Sequence, residues 1–161
     1  MTGNISSLGG PFKPIVAFYQ LQVTPVEKVL PRILEKLYSE GMVTVVRAET
    51  EERVAALSHF LWTYAQSSFL PHGWAKDSTP NDQPIWLTTG EDRPDSASAL
   101  VLLDSVFQVP SAPYQRCYYF FDGTEPEACL KAQTYQKTLG ENGLEMRFWI
   151  QTGAGGWTQG R

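Results

Sequence analysis

The order of patterns along the chain predicts a mixed α/β domain with a mainly parallel sheet and helices on both faces. Three observations carry that expectation. Short β-rich runs alternate with stretches of helical period. Residues 99–103 (ALVLL) are continuously apolar, as in a strand covered on both sides. The length of 161 residues, 42% of them hydrophobic, suffices for one full core without disulfides or metals.

Residues 1–13 are rich in Gly and Ser with isolated apolar residues, and are expected to be mobile outside a folded domain spanning 14–152. The first strand is expected at 15–21 (IVAFYQL). Thr24-Pro25-Val26-Glu27 then has the form of a capping box with proline in the first helical turn. Leu30, Ile33, Leu34 and Leu37 share one helical face, Pro31 is expected to bend that helix, and Gly41 is a suitable stop. A strand at 42–46 leads to a second helix, with Glu51 and Glu52 in its first turn and Val54, Leu57, Leu61 and Tyr64 as its apolar stripe. A long loop at 65–83 precedes strands at 84–88, 99–103 and 116–121. A helix at 125–139 capped by Thr124, a last strand at 144–151 and a tail at 153–161 complete the pattern, which is Rossmann-like and three-layered in outline.

The formal charge of −4 and pI near 5.2 count against a main task of gripping nucleic acid or an anionic membrane, unless a local basic patch exists. Cys117 and Cys129 form neither a disulfide framework nor zinc-ligand spacing, so a reducing compartment is expected. Neither a secretory signal nor an 18-residue apolar run is present, and the reading is of a cytoplasmic protein.

Catalytic signals are sparse. Gln22-Val23-Thr24-Pro25 replaces a G-x-G-x-x-G turn, no P-loop occurs, and Gly153-Ala154-Gly155-Gly156 reads as a flexible end. His59 and His72 lie in no nucleophile context, both cysteines fit small buried positions, and Glu91, Asp92 and Asp95 fit a solvated loop. The expectation is no catalytic residue, no metal and no cofactor. A nucleotide-binding or enzymatic α/β domain without a recognisable phosphate loop stands as the competing reading.

The informative residues are apolar ones that do not fit the core. Trp62 points away from its helix's stripe, and Phe69, Leu70, Pro71 and Trp74 follow shortly after, as in a protein-binding patch or a loop folded onto its own minor core. On the last helix Lys131 lies one turn before Tyr135, a cation beside an aromatic that suits an acidic peptide with an apolar anchor. Lys137 points to nearly the opposite side, and Arg147 joins the patch if its side faces out. The alternative is that Tyr135 is core and both lysines are solubilising.

Several motifs together resemble the chi subunit family of bacterial DNA polymerase III: FYQL (18–21), ETEERVAALSHFLWTY (49–64), SFLPHG (68–73), QPIWLTTGEDRP (83–94), FFDG (120–123) and GLEMRFWIQ (143–151). The resemblance implies a non-catalytic accessory subunit of the clamp-loader assembly. Such a subunit binds the acidic C-terminal tail of single-stranded DNA-binding protein, links the replicase to coated template, and in many members binds the psi subunit. It implies tail contacts at Phe121, Lys131, Tyr135, Lys137 and Arg147, and a psi-binding face at Trp62, Phe69 and Pro71. The family pattern of a basic residue, an aromatic three later and another basic residue is not kept: Lys131 and Tyr135 are four apart. A tail binder of this kind is not expected to hold bare nucleic acid tightly, and Lys131→Glu is expected to weaken tail binding more than Lys137→Glu.

Overall fold

In the computed structural model, which describes residues 14–64, 70–110 and 112–160, seven strands form one sheet in the order β3-β2-β4-β5-β1-β6-β7. β1 (Ile15–Leu21) lies between β5 (Arg116–Asp122) and β6 (Met146–Gln151), parallel to both. β2 (Thr44–Arg47) lies parallel between β3 (Ile85–Thr88) and β4 (Ala99–Leu102), and β4 joins the halves by pairing with β5. Among the described strands only β7 (Trp157–Gln159) is antiparallel to its neighbour.

Strand alternation divides the core in two. Ala17, Leu21, Val46, Leu87, Val101 and Phe120 pack with the apolar stripes of α1 (Val26–Ser39) and α2 (Glu51–Thr63). Val16, Phe18, Val45, Leu100, Cys117 and Tyr119 pack instead with α3 (Pro126–Glu141) and with Val109 and Tyr114 of the connection before β5. Strands covered in this way must be apolar at successive positions, which is why β4 reads as an unbroken run.

The helix ends show where local sequence decides and where it does not. α1 and α3 both stop in a Schellman arrangement. Met42 N–H donates to Leu37 O with Gly41 at φ 77°, and Leu144 N–H donates to Leu139 O with Gly143 at φ 80°. Thr50 caps α2, its hydroxyl accepting from Arg53 N–H at 3.1 Å. The box expected at Thr24 does not form: the N-cap is Pro25, and the Thr24 hydroxyl accepts from Gln151 Nε2 at 2.7 Å. Thr124 does not cap α3 either, because its N–H and hydroxyl both donate to Asp122 and the helix begins after Glu125. Pro31 does not interrupt α1, which continues through it with the ring buried.

Two segments expected to be irregular have structure. The loop after α2 contains a 3₁₀ turn, Pro80–Asp82, and its Gly73 bridges Trp86 of β3. The glycine-rich stretch at 153–156 is the turn of a hairpin, closed by Thr152 N–H to Gly156 O at 2.7 Å, and it brings β7 alongside β6. Too few side chains at 153–156 signalled this turn, and β7 is only three residues long. The expected mobility of residues 1–13 lies outside the described residues.

Candidate functional site

The inward face of α3 carries Ala128, Ala132, Tyr135 and Leu139, all buried. Tyr135 is a core residue. Its hydroxyl lies 2.9 Å from that of Tyr119, which donates on to Gln108 O at 3.0 Å, and its ring packs edgewise on Phe18 and Tyr119. Burial pushes the Tyr135 phenol well up, so it stays neutral. Phe121 is also buried, on the same side of the sheet.

Between α3 and β6 the surface opens into a groove of about 160 Å³. Phe121, Cys129, Ala132, Gln133, Gln136 and Phe148 contribute to it, and its lining carries no charged side chain. Lys131, Lys137 and Arg147 are all exposed. At 100° per residue, Lys137 is about 40° round the helix from Gln133, whereas Lys131 is about 160° away. Neither lysine is among the groove's lining residues, and Lys137 lies nearer to Gln133 round the helix than Lys131 does.

Arg147 does not join the patch. Met146 and Phe148 pack into the α3 side of the core while Trp149 packs into the α1/α2 side, so the two-residue period of β6 turns Arg147 away from Tyr135. The Tyr19 phenol on that other side feels Arg147's positive charge, although burial still raises its pKa to about 12. Gln133, Gln136 and Phe148 went unnoticed as site residues in the sequence, and Cys129, expected at a small buried position, is only half-buried at the groove. The alternation of MRFWIQ was the available signal for Phe148, whereas the glutamines carried none.

Trp62 and Pro71 do come together. Trp62 is 52% exposed, its ring lies 5.0 Å from that of His72, and with Asp77 and Gln83 these residues enclose about 300 Å³. His72 is buried, within hydrogen-bonding distance of Leu70 O at 2.8 Å and Ser58 Oγ at 3.1 Å, and so fixes the loop beneath the indole. Leu70 is fully packed in the α1/α2 cluster, so the loop partly folds onto the domain itself. Phe69 lies outside the described residues.

At the carboxyl ends of β1 and β5 is a crevice of about 460 Å³, the place where α/β sheets commonly hold ligands. Its one cation is already engaged, since Arg53 bonds Glu27 and lies 3.1 Å from Asp104, and with Asp122 the lining is net acidic. Asp104 and Ser105 both adopt φ 60° at its rim. In the turn after β1, the position of a phosphate in nucleotide-binding sheets, the N–H groups of Gln22, Val23 and Thr24 donate to one side-chain oxygen, Gln151 Oε1, at 2.8–3.1 Å. The protein's own amide fills that cradle. No cluster of three potential metal ligands occurs among the described residues.

Residues 14–147 match the model of the family described as DNA polymerase III chi subunit, HolC. A protein of Rickettsia prowazekii (strain Madrid E), "Probable DNA polymerase III subunit chi", is 34% identical over 76 residues. That match covers 47% of this chain and 46% of the relative, so the aligned part spans about half the length of each.

Proposed function

The chain belongs to the DNA polymerase III chi subunit family, whose model matches most of its length, and is thus a replication accessory subunit; from that premise we propose that it binds the acidic C-terminal tail of single-stranded DNA-binding protein and so links the replicase's clamp-loader complex to coated template. In this reading it has no catalytic site or cofactor of its own. The sheet with α1 and α2 against one set of strand residues and α3 against the other is, in the same reading, a Rossmann-like three-layer scaffold working from a cytoplasmic complex.

The observation that carries the proposal is the groove between α3 and β6. Phe18, Phe121 and Phe148 line it beside Gln20, Gln133 and Gln136, and the exposed lining is more polar than apolar. A terminal ring against Phe148 with its carboxylate among amide groups fits this mixed lining, and burying one phenyl side chain fully yields about 1.5–3 kcal/mol before ordering costs. Lys137, the nearer of the two lysines to Gln133, is placed for the terminal carboxylate or the preceding aspartates, an interaction weakened by salt. The family's basic positions on this helix are not reproduced here, so fewer charge contacts are available and weak binding is expected. Trp62 and Pro71 form the face offered to a psi subunit or another clamp-loader component, with an exposed indole as anchor.

Calorimetry with an acidic peptide ending in phenylalanine tests the reading. Phe148→Ala should weaken binding about tenfold or more. Lys137→Glu should weaken it several-fold and Lys131→Glu less, an order opposite to the one the helix sequence implied. Absence of binding at low salt by the intact chain would sink the tail-binding proposal. The competing nucleotide reading has the filled Gln151 cradle against it.

A further inference from the structure

A second cleft lies on the other side of the sheet, between α1 and the β6–β7 hairpin. It encloses about 380 Å³, within the size range of ligand clefts. Lys28 and Arg32 of α1 line it together with Val29, Thr24, the turn at 154–156 and Trp157, and no carboxylate is among its lining residues. Both cations are exposed, and neither is in an ion pair among the described residues. In a chain of net charge −4 this is a local reversal of sign.

The cations continue beyond the cleft. Lys28, Arg32 and Lys36 recur every fourth residue, so they advance about 6 Å per step along one flank of α1. Arg147 is turned to the same α1 side of the sheet by the period of β6, two residues before the part of that strand that pairs with β7. The acids of α1 lie elsewhere: Glu27 bonds Arg53 and Glu35 accepts from the Tyr64 hydroxyl, both toward α2. Trp157 is half-buried, held edge-on against Tyr19 with ring centroids 5.3 Å apart. Opposite it, the turn at 153–156 has no side chain larger than a methyl group, so a flat ligand can approach the backbone.

We propose that this cleft binds single-stranded nucleic acid, with Lys28, Arg32, Lys36 and Arg147 following the phosphates and Trp157 receiving a base. An evenly spaced cation row two turns long matches a repeating polyanion better than a single chain-terminal carboxylate. An aromatic face at the end of such a row is the arrangement by which bases are held without sequence preference. Four cations cannot grip tightly at physiological salt. The contact instead adds to whatever tethers the protein near template, through effective concentration.

The experiment is fluorescence anisotropy of a labelled oligothymidylate of about 20 nucleotides with the full chain. Four phosphate contacts give a log–log salt slope of about −3, so affinity should fall about fifty-fold between roughly 50 and 200 mM salt. Lys28→Glu combined with Arg32→Glu, both surface changes, should lower low-salt affinity at least about tenfold and flatten the slope. Lys76→Glu, a charge reversal on a remote loop, should leave affinity within about twofold. No binding at about 50 mM salt, binding indifferent to the double reversal, or displacement of the oligonucleotide by the phenylalanine-ended acidic peptide would each overturn the proposal. The last outcome would make the cleft a peptide site, and it is distinguishable from failure of the α3 groove because that groove's peptide binding is read separately through Phe148→Ala.

Discussion

Gln151 shows how much one side chain can hold. It is the last residue of β6, buried, with its oxygen accepting three backbone N–H groups of the turn after β1 and its nitrogen donating to Thr24. Those N–H groups lie between a strand and a helix, where no ladder partner is available, and each part-buried hydrogen bond of this kind contributes about 0.5–1.5 kcal/mol. Gln151→Ala should therefore destabilise the fold by about 2–4 kcal/mol, read as a lower midpoint in chemical denaturation. Gln151→Glu keeps the acceptor and should recover most of the loss; equal losses for both variants would show that packing, not the accepted hydrogen bonds, is what Gln151 supplies. Tyr135 makes the complementary point. Its phenol looked available to a ligand in sequence, but its pairing with Tyr119 makes it part of the core.

At the scale of elements, α1, α2 and the β4–β5 connection are tied together by one guanidinium. Arg53 lies between Glu27 and Asp104, each of these side chains retaining a third or less of its exposure. The hydrogen bond from Arg53 holds the Glu27 carboxyl below its ordinary value of 4.5, against the opposing effect of burial. A lowered carboxylate pKa contributes stability that is fully present above the ordinary value and lost as the pH falls through the lowered one. Unfolding free energy should thus decline below about pH 4.5 in the native chain, and Glu27→Gln should remove part of that decline while lowering stability at neutral pH. Denaturant titrations at pH 3 to 7 check this; parallel pH profiles for the two proteins would remove Glu27 from the account.

For the whole molecule, one edge of the sheet is closed by the last described strand, β7. β7 covers the outer edge of β6, and Trp157 packs on Tyr19 in the α1/α2 core. Truncation after Thr152 should lower the thermal midpoint by several degrees and expose an edge strand that promotes association. Calorimetry and light scattering of the shortened chain measure both effects, and an unchanged midpoint would return residues 153–161 to the status of a tail. Distribution of charge belongs to the same scale. A negative average leaves the molecule poorly suited to nucleic acid overall, while Lys28 and Arg32 on the α1 flank line a cleft that has no carboxylate.

Sequence by itself determined the class and most of the elements, β7 and the 3₁₀ turn excepted. Two-residue and 3.6-residue periods are local properties, so β1, the stripes of α1 and α2, the shared face of α3 and the glycine stop at Gly41 were legible, as was the family through its ordered motifs, whereas the stop at Gly143 was not read. Capping at Thr24 and Thr124 was misread because Gln151 and Asp122 compete for those hydroxyls, the first from 127 residues away. Only the tertiary structure decided which faces meet: it turned Arg147 away from α3, put Lys137 rather than Lys131 nearer to the groove, and assembled a cation row with Trp157 from segments more than a hundred residues apart. The reason is physical. A side chain's direction follows from its own backbone, but its neighbours are set by how a parallel sheet orders strands that are distant in sequence.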